Sequence, residues 1–337
     1  MPIADTASHP YARLTPDRVL DALQAVGLEG DGRLLALNSY ENRVYRVHLV
    51  DGRIVVAKFY RPSRWTREQI LEEHAFAREL AHAEVPVVAP MTLASEGGDA
   101  TTLAYDEEFP FALYEHRGGR APELEDRETL AWIGRFLGRL HATGAARAFA
   151  TRPALDVATF GIEPRDYLLE SQWLPPPLEP AYRAAIDLAI AGVRRCHERA
   201  GDVQRLRVHG DCHAGNVLWT GQGPHFVDLD DARTAPAVQD LWMLLSGDRN
   251  DMTASLEAVL EGYRRFRDFD PRELHLVEAL RTLRLIHYAA WIARRWEDPA
   301  FPAAFPWFGT ERYWQDRILE LREQIALMDE PPLELRS

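Results

Sequence analysis

The dominant hydrophobic period of this chain shifts from two to helical near Gly118-Gly119, and that shift constrains the fold more than any other feature. Toward the N-terminus Asn42 to Val50 and Arg53 to Tyr60 alternate with a period of two, and Asp51-Gly52 between them is a strong hairpin signal. Short strands are expected near Met91 to Leu93, Thr101 to Tyr105 and Pro110 to Tyr114. One short helix, opened by Thr15-Pro16-Asp17, precedes the strands, and one long helix, Thr66 to Ala83, interrupts them. After Gly118-Gly119 the helical period dominates, with helices expected around Asp126 to Thr143, Ala181 to Arg199, Val238 to Leu245, Ala254 to Phe266, Pro271 to Trp296 and Glu311 to Met328. A single β interruption lies between Arg205 and Asp228. The expected class is therefore α+β: a small antiparallel sheet lobe over residues 1–115 and a larger, mostly helical lobe over 116–337, with a ligand cleft between them.

Length and charge narrow the function. A chain of 337 residues is long enough for two lobes with a sizeable core. Its net charge of −13 argues against a nucleic-acid or anionic-membrane partner, both of which require a basic footprint. Cys196 and Cys212 are too few for a disulfide framework and lack zinc-ligand spacing. The segment Met1 to Pro10 lacks the basic start and apolar core of a signal peptide, and Arg interrupts even the apolar stretch Leu283 to Trp296. These features are those expected of a cytoplasmic protein.

The densest polar cluster is His209-Gly-Asp211-Cys-His213-Ala-Gly-Asn216, followed by an apolar strand, a turn and His225-Phe-Val-Asp228-Leu-Asp230-Asp231. A strand–turn–strand would bring the 209–216 loop beside Asp228. Asp211 and Asn216 have the five-residue spacing of a kinase catalytic loop, in which the Asp meets the acceptor hydroxyl and the Asn holds Mg²⁺ on the phosphate side. Asp228 would be the second, carboxylate ligand to that hard cation. A rival reading takes His209, Asp211, His213, Asp228 and Asp230 as ligands of a metal hydrolase, and a third takes the segment as a polar turn.

Lys58 bears on that choice. Of the 39 basic residues it is the only lysine, and it sits in the apolar strand Ile54-Val-Val-Ala-Lys58-Phe-Tyr60. A kinase needs a lysine at such a strand position, because a compact ammonium rather than a guanidinium contacts the α- and β-phosphates; the alternative is a lysine reaching to solvent from an edge strand. On the following helix Glu73 shares a face with Ile70, Phe76, Ala77 and Leu80, whereas Glu72, with Glu68, Gln69 and Glu79, falls on the polar face and is expected to be solvated. A carboxylate on an apolar stripe needs a partner, and Lys58 is the expected one. A metal hydrolase has no use for such a pair, so the kinase reading is preferred. There is no Gly-x-Gly-x-x-Gly loop; Asn38-Ser39-Tyr40-Glu41-Asn42 occupies the first hairpin, where Ser39 can face the nucleotide or simply form a turn. Neither a Walker A motif nor a Gly-x-Ser-x-Gly elbow is present, and no Ala-Pro-Glu segment accompanies the loop. Asp240 is expected to cap its helix or brace the catalytic loop, Cys212 to be a packed residue, the aromatic tract Trp291 to Trp314 to be mainly core, and Arg294-Arg295 to be solvated.

Together these stretches resemble a family of bacterial stress-response serine/threonine protein kinases built on the aminoglycoside-phosphotransferase and choline-kinase type of fold. The resemblance is carried by Leu37 to Tyr45, Lys58 to Pro62, Ile70 to His74, His209 to Asn216, Phe226 to Asp248 and Trp291 to Trp307, spread over nearly the whole chain. It implies a cytoplasmic, monomeric, ATP- and Mg²⁺-dependent kinase that phosphorylates itself and other proteins on Ser or Thr and protects against oxidative and other stress. In that frame Asp211 is the proton acceptor, Asn216 and Asp228 bind Mg²⁺ with Asp228 also catalytic, and Ser39 lies in the nucleotide loop as a candidate phosphorylation site. Lys58, held by Glu73, would align the phosphates, and the adenine would rest near Leu113 to His116, against Tyr114. Two other functions stay open: a small-molecule kinase acting on an amino alcohol, sugar or antibiotic, and a nucleotide-binding scaffold without catalysis.

Overall fold

Each change of period becomes a change of layer in the computed structural model, which describes residues 9–93 and 100–335. Most of the N-terminal segment read above for a targeting signal lies outside the described residues. Helix α1 (Pro16–Ala25) starts where Thr15 Oγ1 accepts the backbone N–H of Arg18. Strands β1 (Gly30–Ala36), β2 (Arg43–Leu49), β3 (Ile54–Phe59), β4 (Ala104–Asp106) and β5 (Phe109–Glu115) form one antiparallel sheet of order β1-β2-β3-β5-β4. The expected hairpin joins β2 to β3, with Gly52 at φ +86°, a left-handed position glycine adopts without strain. Met91 to Leu93 forms only isolated bridges, Pro90 to Tyr114 and Leu93 to Thr101 flanking it, rather than a strand.

Helix α2 (Arg67–His82) opens on a reciprocal capping box: the Gln69 N–H donates to Thr66 Oγ1, and the Thr66 N–H donates to Gln69 Oε1. Its apolar stripe divides between two cores. Ile70 packs under the sheet with Tyr60, Leu103 and Ala112, while Phe76 and Leu80 belong to the core of the helical part.

The remainder comprises α3 (Arg127–Gly144), α4 (Glu163–Glu170), α5 (Glu179–Ala200), α6 (Val238–Trp242), α7 (Arg249–Tyr263), α8 (Val277–Ala293), α9 (Ala300–Ala304) and α10 (Glu311–Asp329). Between α5 and α6 lie β6 (Arg205–Val208), β7 (Val217–Thr220), β8 (Gly223–Phe226) and β9 (Arg233–Pro236), paired β6 with β9 and β7 with β8. The β interruption thus extends past Asp228, because Arg233 to Pro236 pairs back onto Arg205 to Val208. The expected helix from Pro271 is instead a 3₁₀ turn, Pro271–Leu276, leading into α8, with Asp270 capping the turn. Helices α3 and α7 cross at contact distance: a Cβ on Gly134 would stand 1.9 Å from the Val259 carbonyl oxygen, and one on Gly138 2.4 Å from that of Tyr263.

Two surface assignments are corrected. Glu72 is not a solvated carboxylate: it accepts the backbone N–H groups of Ala150, Thr151 and Arg152 and the Thr151 hydroxyl, clamping α2 to that turn. Four such donors reward one carboxylate more than solvent does. Arg295 turns inward, with Nε 2.6 Å from Glu41 Oε2, while Arg294 stays exposed with its guanidinium over the Tyr167 ring. The aromatic tract is mostly core, as expected: Phe301 and Trp314 have no exposure, and only Trp307 reaches 43%.

Candidate active site

The site forms where the β7–β8 hairpin folds the 209–216 loop back against the segment after β8. Val217 pairs with Phe226, the Val227 N–H donates to the Asn216 carbonyl at 3.0 Å, and His209 Nε2 lies 2.9 Å from the Val227 carbonyl oxygen. Asp211, Asn216 and Asp228 therefore share one surface, as the strand–turn–strand reading expects. Asp240, fully buried at the start of α6, braces the loop from behind: Oδ2 accepts the His209 N–H and Oδ1 the Gly210 N–H, each at 2.8 Å. His141 Nε2 contacts the same carboxylate at 2.9 Å. Gly210 has φ +86°, and a Cβ there would come within 2.2 Å of the Asp231 carbonyl oxygen, so the loop can approach this closely only with glycine.

Asp211 is held from both sides. Arg284 Nη1 donates to Oδ1 at 2.5 Å, Asn216 Nδ2 lies 3.3 Å from Oδ2, and His213 Nε2 3.5 Å from Oδ2. Burial pushes its pKa up, but His213 and Arg284 outweigh burial and bring it down to about 2. The group is an ionised hydrogen-bond acceptor at any physiological pH. Asn216 Nδ2 also donates to the Asp211 carbonyl at 2.9 Å, which leaves its amide oxygen as the atom to face a cation. Cys212, between them in sequence, is buried with its thiol pKa pushed well up by burial, so it is packing rather than a nucleophile.

Asp228 adopts φ +60°, ψ +63°, a left-handed conformation uncommon outside glycine and, in a cleft, the kind of strain that functional residues carry. Lys58 Nζ donates to its Oδ1 at 2.7 Å and lies 3.3 Å from Asp230 Oδ1. Burial would lower the lysine pKa, but Asp228 and Asp230 raise it well above its ordinary value, so the ammonium stays charged. The expected Lys58–Glu73 ion pair is corrected by these contacts. Among the described residues no salt bridge within 4.0 Å joins the two; the near neighbour of Glu73 is His74, at 3.6 Å. Two aspartates on the facing segment supply what one glutamate was expected to supply. Glu73 is nonetheless buried beside them, and its pKa is pushed up to about 7 by burial, partly offset by Lys58 and Arg152.

Tyr114 shares the lower face of the sheet with Lys58, and its hydroxyl is 3.0 Å from that of Tyr60, which is 2.7 Å from His74 Nε2. Ser39 lies half-buried in the turn between β1 and β2, where its neighbours are firmly anchored. Asn42 Nδ2 donates to Asp230 at 3.2 Å, Trp291 Nε1 donates to Glu41 at 2.5 Å, and the Tyr40 ring packs on Phe305. Sequence reasoning missed the arginines that complete the centre. Arg64 pairs with Asp230 and, at 2.9 Å, Asp231; Arg233 reaches Asp231 at 2.6 Å; and Arg152 Nη2 donates to the Asp230 carbonyl at 2.5 Å. In a chain whose basic residues are nearly all Arg, nothing in composition marks these three.

The hydrolase ligand set does not assemble: among the described residues no three His, Cys, Asp or Glu side chains converge as a metal-binding group. His209 is fully buried and committed to the Val227 carbonyl. A pair of oxygen donors, Asn216 and Asp228, instead fits Mg²⁺, which takes few protein ligands and completes its octahedron with phosphate and water.

The chain and its fold have known counterparts. A family model described as the phosphotransferase enzyme family matches residues 33–277. The chain belongs to that family. Stress response kinase A of Escherichia coli K12 is 46% identical over 98% of each chain. A serine/threonine protein kinase, RdoA, of Salmonella typhimurium is 44% identical over 96% of this chain and 97% of its own. Among solved structures, amicoumacin kinase hAmiN in complex with AMP-PNP, Ca²⁺ and Ami shares the fold at 18% identity, with a TM-score of 0.71 over 94% of each chain. As a phosphotransferase the chain is an enzyme, which removes the scaffold reading. No helix of the described residues is long and apolar enough to cross a membrane.

Proposed function

We propose that this phosphotransferase is an ATP- and Mg²⁺-dependent serine/threonine protein kinase of the bacterial stress response, acting on itself and on protein substrates as a cytoplasmic monomer. The names carried by its relatives support the protein-kinase and stress assignments. One observation carries the reading: Lys58, far away in sequence on β3, meets the segment 211–228, whose Asp211, Asn216 and Asp228 are linked by a continuous set of contacts.

In this reading Lys58, kept charged by Asp228 and Asp230, aligns the phosphates of ATP, with the adenine toward Tyr114 and Ser39 in the loop above. Asn216 and Asp228 would hold Mg²⁺, which when bound would neutralise charge on the transferring phosphoryl group. Asp211 accepts the hydrogen bond of the Ser or Thr hydroxyl and takes its proton late in transfer; a weak base suffices because the transition state is loose. Glu73 acts on Lys58 without contact, through the field of a buried carboxyl that ionises as pH rises through about 7. Incubating the purified protein with γ-labelled ATP tests the reading. Label on Ser or Thr of the chain, abolished by Asp211→Ala with nucleotide binding spared, supports it; near-normal transfer by that variant overturns the role of Asp211.

A small-molecule kinase is the second reading, favoured by the solved structures that share the fold, among them an aminopropanol kinase at a TM-score of 0.66. Absence of self-labelling, with turnover on an amino alcohol, would select it.

A further inference from the structure

Arg284, on α8, touches Asp211 directly, whereas Trp291 of the same helix reaches the site through Glu41 of the β1–β2 turn. Resting on the assignment of Asp211 as proton acceptor, we propose that Arg284 is a positioning residue for phosphoryl transfer, holding one carboxylate oxygen so that the other faces the acceptor hydroxyl.

The two oxygens of Asp211 are not equivalent. Oδ1 takes a short, charge-assisted bond from Arg284 at 2.5 Å. Among the described residues Oδ2 has only loop neighbours at long range, Asn216 Nδ2 at 3.3 Å and His213 Nε2 at 3.5 Å. The carboxylate thus has a pinned edge and a loose edge, and an incoming O–H finds its acceptor on the loose one. The proton of that hydroxyl passes to Oδ2 as the acceptor oxygen bonds to the γ-phosphorus. The bond from that phosphorus to its bridging oxygen breaks, and its electron pair leaves with ADP.

Arg284 also differs from the other arginines of the centre. Arg64 and Arg152 each serve two or more acceptors, and Arg233 is spent twice on Asp231, all three in buried networks. Arg284 bonds to Asp211 alone among the described residues and keeps 41% of its side chain exposed. An exposed ion pair is by itself worth little stability. What this one supplies is orientation: a planar guanidinium fixes the carboxylate plane, and displacement of a reacting group by an ångström can cost two orders of magnitude in rate.

The test uses the full-length chain, with single-turnover phosphoryl transfer from ATP to the chain itself as the readout. Arg284→Ala is expected to slow transfer about 10- to 100-fold while leaving the apparent ATP affinity and the melting temperature unchanged. Arg284→Lys should recover part of the rate, and added methylguanidine should rescue Arg284→Ala but not the double variant with Asp211→Asn. A native rate in Arg284→Ala overturns the proposal, as does a loss confined to ATP affinity or one that neither Lys nor methylguanidine repairs. Asp211→Asn separates the two layers. If it transfers phosphate normally, the assignment of Asp211 itself fails; if it is inactive while Arg284→Ala is native-like, only the positioning role fails.

Discussion

Lys58 Nζ sits 2.7 Å from Asp228 Oδ1 and 3.3 Å from Asp230 Oδ1, one ammonium shared between a half-exposed carboxylate and a buried one. The geometry suits a compact point charge. A guanidinium is wider, and Arg64 already occupies the far side of Asp230. Lys58→Arg should therefore keep the charge and lose the function, with transfer from ATP reduced at least about 100-fold and the far-UV spectrum unchanged. Intact turnover would mean that any cation serves at this position.

Glu73 gives the stability a pH dependence of known sign. Its carboxyl is buried and its pKa is raised to about 7, from 4.5 in an exposed chain. Between those values the folded state binds the proton that the unfolded state has released, so this group's contribution is full below about 4.5 and lost as pH rises through 7. The loss is on the order of 3 kcal/mol. Glu73→Gln removes the titration, so its stability relative to the native chain should climb between pH 5 and pH 8 in urea unfolding. A constant difference across that range would show that Glu73 does not titrate there.

Asp240 is fully buried and receives two backbone N–H groups and an imidazole. Asp240→Ala strands all three donors and should cost about 3–5 kcal/mol, with phosphoryl transfer falling as the 209–211 segment loses its brace. Asp240→Asn keeps the shape and one good acceptor, so it should lose less. Denaturant midpoints of the two variants decide this ordering.

The α3–α7 crossing leaves no room for a methyl group. In Gly134→Ala the new Cβ would meet the Val259 backbone at 1.9 Å, and in the reverse direction a Cβ on Gly262 would meet the Ala131 carbonyl at the same distance. Neither neighbour is a flexible side chain. Gly134→Ala should destabilise by at least 2–3 kcal/mol in spite of alanine's better helix propensity, which thermal unfolding will show.

How much of this was legible in the sequence depended on whether a residue type was rare where it stood. Lys58 stood out because every other basic residue is Arg, and Asp211 and Asn216 because their spacing carries a mechanism. Helix α2 was readable from Thr66, Gln69 and the apolar stripe, since capping and periodicity are local properties. Partner choice was not local. The stripe correctly buried Glu73, but helical phase says nothing about which charge lies opposite, and the facing aspartates stand 155 and 157 positions further along. Glu72 was misread for the same reason: its polar face is real, and the backbone of residues 150–152 covers it. Arg284 sits in a helix with Arg281, and no local pattern tells the one that pairs with Glu278 from the one that touches Asp211. Short elements such as α4 and α9 were missed because five to eight residues give too little periodicity to read.

Helix α2 carries a further consequence. Glu72 fastens its first half to residues 150–152, Glu79 pairs with Arg207 and Arg147, and Phe76 and Leu80 are part of the helical core. Swinging α2 outward would break three attachments and expose two apolar side chains at once. A mobile helix as an on–off lever is therefore denied to this enzyme. The turn residues 40–42, by contrast, are anchored through side-chain contacts that can be released one at a time.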